Sequence, residues 1–437
     1  MISKTRNFWF IILPLVSLSS CISISSSSLE LIDLETIPLR QKQTEPRADF
    51  WKAMSNLDLG YADQYPDSTE QHLFASALHL IMGGQYNEAI PTLEHLVDTS
   101  SDSLMVERSG KLLFSTYMLT FEWEALIELD SKLPHGLDDL NTIAMIKGWS
   151  VHQEEQIHFP ESPLSMKMEK SISGVPTIDV LVNGVKQTFW IDTGAEYTVL
   201  SSDIAEACGV DTISGTESKV GTSTDTVIKL WAGVIDKLEI EELTFEHHPV
   251  FIIPKEHLEF RLLKIFRILK VDGIIGWNAI QNLMLDMDYL NERITISKPE
   301  KNSTTERNLH FISQPFVTML DTNGIPLQFF LDTGANQTAL YPPSYAVFDT
   351  TGAEVVTAHR GGAGGFQEVN KYALLNQSLI LGKTRIDFQK INGTPQLGDT
   401  DADLIPFDGI LGSDIAQDGR LIIDFQNGRC ELKVPAN

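Results

Sequence analysis

At 437 residues the chain exceeds one ordinary core, and at roughly 100–200 residues per domain it predicts two to four folding units. A hydrophobic share of 42% and a charged share of 21% are those of a folded protein and exclude a disordered one. A formal net charge of −26 argues against nucleic acid as a partner, because a phosphate backbone is gripped by clustered Lys and Arg; the most basic stretch, Arg261 to Lys270, is interleaved with Leu, Ile and Phe.

At the N-terminus, Lys4 and Arg6 precede an apolar run from Phe8 to Leu18. The run is too short to cross a bilayer as a helix and has the length of a signal-peptide core, so residues 1–20 are expected to be an export signal. Leu18-Ser19-Ser20-Cys21 resembles the lipobox of bacterial lipoproteins. That resemblance implies lipid on Cys21, a membrane anchor and a place in the bacterial envelope. With Ile rather than Asp at position 22, it implies the outer membrane, facing the periplasm. Residues 21–47, opening on the serine-rich stretch Ser23 to Ser28, are expected to be a flexible tether. Only Cys208 and Cys430 then remain, too few for a disulfide framework or a metal site. One disulfide between them stays open; no metal and no cofactor are expected.

Residues 48–152 read as helical, rich in Leu and Ala at spacings of three and four, such as Leu73, Ala77, Leu80 and Ile81. Ala89, Ile90 and Leu93 map onto Ala125, Leu126 and Leu129 at an offset of 36. The pattern resembles tetratricopeptide-type helical hairpins, without their signature Trp and terminal Pro, and implies a surface for a protein partner. His, Glu and Pro cluster over 153–171, expected to be a linker.

From Ile172 the texture becomes short alternating runs with turn signals, and it occurs twice, over 172–300 and 309–437. Ile178 to Val182 leads through Asn183-Gly184 into a strand ending at Ile191; Phe316 to Leu320 leads through Asn323-Gly324 into a strand ending at Leu331. Each Asn-Gly lies nine residues before an Asp-Thr-Gly-Ala, at Asp192 and Asp332. Downstream, Asp272-Gly-Ile-Ile-Gly276 answers to Asp408-Gly-Ile-Leu-Gly412 at an offset of 136. Two predominantly β lobes of one duplicated unit follow, joined by the polar segment Lys298 to Asn308.

An Asp at the end of an apolar strand and just before Gly leaves the core where the backbone turns sharply. If the two hairpins are related by a pseudo-twofold axis, the carboxyl groups of Asp192 and Asp332 meet there and share one proton. The ionised acid can then take a proton from water while its neighbour donates to a carbonyl, which is acid–base hydrolysis of a peptide bond.

Both halves resemble retropepsin-type aspartic proteases, through Asp-Thr-Gly-Ala after an apolar strand and the closing pairs Ile275-Gly276 and Leu411-Gly412. The resemblance implies that Thr193 and Thr333 interlock beneath the acids, and that Gly194 and Gly334 bring backbone close to a bound peptide. Arg360-Gly361-Gly362-Ala363-Gly364-Gly365-Phe366 resembles the glycine-rich flap tip of the retroviral enzymes. The first half has only Gly221 at the equivalent place, in Val220-Gly221-Thr222, so the two flaps are expected to be unequal. Ala195 and Ala335 stand where pepsin-like relatives often carry a hydroxyl that would hydrogen-bond the acid, so the pair is expected to titrate higher than pepsin's.

The expected activity is therefore that of an aspartic endopeptidase; the alternative is an inactive peptide- or protein-binding lipoprotein on the same fold. Pairing of the lobes within one chain or between two chains is left open. His72, His79 and His95 lack zinc-protease spacing, and His247-His248 before Pro249 reads as a loop without an acid partner. Asp399, Asp401 and Asp403 do not complete a calcium loop.

Overall fold

The computed structural model describes residues 27–31, 49–59, 69–133, 140–171, 173–221, 227–262, 266–301, 307–348, 353–362, 365–393 and 404–434. Cys21 and Asp399 to Asp403 lie outside them.

The helical part comprises α1 (Phe50–Ser55), α2 (Thr69–Met82), α3 (Tyr86–Thr99), α4 (Ser103–Thr120), α5 (Trp123–Lys132) and α6 (Leu140–Ser150). Side chains of Asp49 and Asp102 accept the first free amides of α1 and α4, from Lys52 N and Leu104 N. Gly84 at φ 74° turns α2 back onto α3, and Phe121 at φ 60° ends α4 in a left-handed cap. Phe74, Ala77, Leu78 and Ile81 of α2 face Ala89, Leu93 and Leu96 of α3 in one apolar seam. The repeat is loose: α3 and α5 start 37 residues apart (123 − 86), and Ala89 is buried where Ala125 is half-buried, with the reverse for Ile90 and Leu126. A slip of one residue turns a helix by about 100°, which carries those positions off the seam.

The strands are β1 (Ser27–Leu31), β2 (Gln156–His158), β3 (Leu164–Lys167), β4 (Glu169–Lys170), β5 (Pro176–Val182), β6 (Val185–Ile191), β7 (Thr198–Ser201), β8 (Ser218–Gly221), β9 (Val227–Ile240) and β10 (Leu243–Ile253). Next come β11 (Glu259–Leu262), β12 (Phe266–Lys270), β13 (Gly273–Ile275), β14 (Met284–Asp288), β15 (Arg293–Ser297), β16 (Leu309–Ile312), β17 (Gln314–Leu320) and β18 (Pro326–Leu331). The chain ends with β19 (Ala339–Leu340), β20 (Glu354–Gly362), β21 (Gly365–Leu381), β22 (Thr384–Gly393), β23 (Gly409–Leu411), β24 (Arg420–Asp424) and β25 (Arg429–Lys433).

They form two sheets of the same plan. The first runs β2-β10-β7-β13-β6-β5-β9-β8 and the second β1-β22-β19-β23-β18-β17-β21-β20, closed by β10–β9 and β22–β21. Even the register repeats: Gly273, Ile274 and Ile275 lie beside Phe189, Trp190 and Ile191, and Gly409, Ile410 and Leu411 beside Phe329, Phe330 and Leu331. The lobes join through a five-stranded sheet in the order β25-β24-β14-β15-β3. At its centre β14 pairs antiparallel with β24, Met284 opposite Asp424 and Asp288 opposite Arg420, as a twofold relation with an offset of 136 requires.

Three segments differ from expectation. Ser27–Leu31, within the expected tether, is β1 and pairs with Thr384–Phe388, taking in lobe 2 the edge place that β2 takes in lobe 1. There it covers the open edge of β22, whose backbone donors and acceptors it pairs. The expected linker is likewise built in: β2 pairs with β10, β3 with β15 and β4 with β5. The two Asn-Gly turns also differ. Asn183 and Gly184 have φ of 49° and 81°, as a two-residue primed turn needs, whereas Asn323-Gly324 lies in a longer loop in which Asp321 Oδ1 accepts from Asn323 N and Ile325 N. Cys208 and Cys430 are buried free thiols in different lobes.

Candidate active site

The strand ends β6 and β18 deliver Asp192 and Asp332 to the junction of the lobes. Asp192 N donates to Ile275 O at 3.1 Å and Asp332 N to Leu411 O at 3.0 Å, so each acid is fixed by the closing strand of its own lobe. Gly194 N donates to Asp192 Oδ1 at 2.8 Å and Ala335 N to Asp332 Oδ1 at 2.9 Å. Both side chains are buried, at 0% and 1% exposure.

Beneath them Thr193 and Thr333 cross over. Thr193 Oγ1 donates to Leu331 O and accepts from Thr333 N; Thr333 Oγ1 donates to Ile191 O and accepts from Thr193 N, all at 2.8–3.0 Å. Each hydroxyl therefore donates once and accepts once across the lobe boundary, at 0% and 1% exposure, where an unpaired group would cost about 1–3 kcal/mol. In this structure both lobes at the boundary come from the same chain.

Glycine is required at two places by proximity alone. A Cβ on Gly194 would stand 2.6 Å from Asp332 Cγ, and one on Gly334 would stand 2.5 Å from Asp192 Cγ. Each glycine thus packs on the other lobe's acid, and this close approach makes the pair compact.

Two buried carboxyls in contact cannot both ionise cheaply. Burial pushes Asp192 up to about 6, with the hydrogen bonds from Asp332 and Gly194 pulling the other way. Asp332 is raised well above the ordinary range by burial and by the charge and hydrogen bond of Asp192. The pair therefore holds one proton between the two acids at intermediate pH. Asp192 Oδ2 is buried and takes no hydrogen bond from the protein.

The two hairpins at the expected flap positions differ in their described strands and in their setting. In lobe 1, β8 and β9 pair from Ser218 opposite Leu230 to Gly221 opposite Val227. Val220, Ile228 and Leu230 are buried, and α6 packs along both strands. Trp149 of α6 donates Nε1–H to Gly233 O at 3.0 Å and stacks on Tyr197 at 5.1 Å between ring centres, five residues beyond Asp192. Tyr197 in turn donates its hydroxyl to Met118 O at 3.3 Å. In lobe 2, β20 and β21 pair from Glu354 opposite Ala373 to Gly361 opposite Phe366 and Gly362 opposite Gly365, and Val355 and Tyr372 are exposed. Gly364 lies outside the described residues.

Sequence reasoning missed one cluster. His248, expected in a loop, is fully buried in β10; its Nδ1 meets Glu155 Oε1 and its Nε2 lies 2.8 Å from Thr198 Oγ1. The acid partner is 93 residues away, beyond any local motif. The available signal was the duplication itself, which sets Asn278 against Asp414 and Thr198 against Thr338.

Residues 178–279 match the family model described as an aspartyl protease. Among solved structures the chain is similar to a retropepsin-like aspartic protease from Rickettsia conorii, at 14% identity over 34% of this chain and 97% of that one, with a TM-score of 0.24. No curated protein matches it.

Proposed function

We propose that the chain is an aspartic endopeptidase whose single catalytic centre is the Asp192–Asp332 pair, one acid from each lobe. The observation that carries this reading is the meeting of the two Asp-Thr-Gly motifs over interlocked threonines, with one proton between two buried acids. Asp192, whose Oδ2 is unengaged, is assigned as the base that takes a proton from water, and Asp332 as the acid that donates to the peptide carbonyl. Attack by the water gives a neutral gem-diol. Return of the proton from Asp192 to the leaving nitrogen, with a diol proton passing back to Asp332, breaks the C–N bond and restores the pair. Gly194 and Gly334 let a peptide backbone reach the acids, and the glycine-tipped strands β20 and β21 close over it.

A second reading rests on the complete burial of both acids: a lobe pair that only binds peptides. Calorimetric titration with a pepstatin-like inhibitor separates the two. The endopeptidase reading expects binding that Asp192→Asn or Asp332→Asn each weakens at least about tenfold, together with cleavage of labelled casein by the unaltered protein. Casein left intact by the unaltered protein at every pH from 3 to 8 would contradict it.

We also place the protein in the bacterial envelope, lipid-anchored at Cys21 to the outer membrane, with the helices available to a protein partner. The apolar run Phe8 to Leu18 before Leu18-Ser19-Ser20-Cys21 supports this. Cys21→Ala is expected to move the protein from the membrane to the soluble fraction; unchanged fractionation would remove the anchor.

A further inference from the structure

In each lobe one threonine hydroxyl ties the strand after the Asp-Thr-Gly-Ala motif to the closing glycine. Gly276 N donates to Thr198 Oγ1 at 3.3 Å, and Gly412 N donates to Thr338 Oγ1 at 3.1 Å. These glycines follow directly on Ile275 and Leu411, whose carbonyls hold the amides of Asp192 and Asp332. The setting of the hydroxyl is thus two covalent links from the hydrogen bond that places each acid.

The lobes hold that hydroxyl by different chemistry. In lobe 2 a carboxylate suffices: Thr338 N and Thr338 Oγ1 both donate to Asp414 Oδ1, at 2.8 and 2.7 Å. In lobe 1 the equivalent residue is Asn278, 136 positions earlier. Thr198 N still donates to Asn278 Oδ1 at 2.8 Å, but the hydroxyl contact lengthens to 3.1 Å, as the weaker charge of an amide oxygen requires. Asn278 cannot rotate to improve it, because its Nδ2 is held by Pro249 O at 2.8 Å. A second partner stands in: His248 Nε2, 2.8 Å from Thr198 Oγ1, with Nδ1–H directed at Glu155. The side chains of His248 and Glu155 are 0% and 5% exposed, the ring of Phe245 covers the imidazole, and Glu155 comes from the segment that joins α6 to β2. A buried imidazole and carboxylate are costly to retain without partners, and these two are fully engaged with one another and with Thr198.

We propose that His248, oriented by Glu155, is a positioning residue for Asp192, doing in lobe 1 through Thr198 what Asp414 does in lobe 2 through Thr338. The proposal rests on the endopeptidase reading for its kinetic test and on the lobe geometry alone for its spectroscopic one. Glu155 also links the exit of α6 to this network.

The test replaces both polar partners together by apolar residues of similar volume, Glu155→Met with His248→Phe, so that no unpaired charge is left buried. With labelled casein as substrate, kcat is expected to fall roughly tenfold while KM stays within about twofold. Glu155→Gln, which keeps an acceptor for His248 Nδ1, is expected to hold kcat within about threefold of the unaltered protein. Carboxyl-carbon NMR of protein labelled with 13C-aspartate is expected to show the Asp192 signal displaced in the double variant and native in Glu155→Gln, with Asp332 unmoved. A lowered melting temperature with unchanged kcat and an unmoved Asp192 signal would overturn the proposal, leaving a packing role. If the double variant does not fold, Thr198→Val decides, because it cuts the link from His248 to Gly276: a displaced Asp192 signal supports the proposal, and a native one overturns it. If the unaltered protein cleaves nothing, the endopeptidase reading fails and the Asp192 signal alone decides this one.

Discussion

The two lobes share strand order, register and the Asp-Thr-Gly geometry to within a few tenths of an ångström in their hydrogen bonds, yet they differ in almost everything around it. Lobe 1 takes its edge strand from the segment next door in sequence and carries the helices on its flap. Lobe 2 takes its edge strand from Ser27–Leu31 and leaves its flap exposed. The difference teaches which parts the proposed chemistry constrains. Where two carboxyls must share a proton the halves are held alike by steric and hydrogen-bond demands that neither can relax alone. Beyond that distance each lobe has found its own way to bury apolar surface and satisfy its backbone.

The symmetric part is the place where the largest effects are expected. Gly334→Ala and Gly194→Ala each push a methyl group into the opposite acid, and casein cleavage is expected to fall at least about 100-fold in both. A much smaller loss for one of them would break the equivalence of the lobes. Thr193→Val and Thr333→Val each strip two cross-lobe hydrogen bonds from a buried site and are each expected to cost about 2–4 kcal/mol in chemical denaturation. Unequal costs would show that one threonine holds the junction alone.

The pH dependence sharpens the comparison between the acids. In the unfolded chain both titrate near 3.8; folded, Asp192 is raised to about 6 and Asp332 further. Raised acids contribute stability that is fully present below the unfolded value and is lost as pH rises through the folded ones. Asp332→Asn removes one acid of the coupled pair. It is expected to match the unaltered protein near pH 4 and to melt about 2–4 °C higher at pH 8, read by differential scanning calorimetry. If the pair is catalytic, the same shifts predict cleavage nearer neutrality than for an acid-adapted dyad, as a pH profile of casein cleavage would check. The smallest effect is in the flaps: by hydrogen exchange, β20–β21 amides near Gly361 and Gly362 are expected to exchange at least about tenfold faster than those of β8–β9, which α6 holds down. Equal protection would show that packing by α6 does not set flap freedom.

What could be read in the sequence follows the same division. The repeated Asp-Thr-Gly-Ala, the closing Ile275-Gly276 and Leu411-Gly412 and the primed turn at Asn183-Gly184 are local patterns with local physics, and the lobes follow from them. Asn323-Gly324 misled because Asp321, two residues earlier, captures the backbone first. The place of Ser27–Leu31 was not legible, since a short serine-rich run pairs where a distant edge offers it partners, and 353 residues separate Leu31 from Thr384. His248 and Glu155 were missed for the same reason. Nothing in their neighbourhoods announces a partner, and only the mismatch of Asn278 with Asp414 in the aligned halves hints that lobe 1 needs one.

The central claim is that one chain supplies both acids of one catalytic pair. It is tested most directly by assaying Asp192→Asn and Asp332→Asn separately and then mixed in equal amounts at increasing concentration, with labelled casein as substrate. The account predicts that each variant is inactive and that the mixture remains inactive at every concentration, because neither chain can lend its remaining acid to the other. Activity in either variant alone, or activity that appears on mixing and grows with concentration, would contradict it.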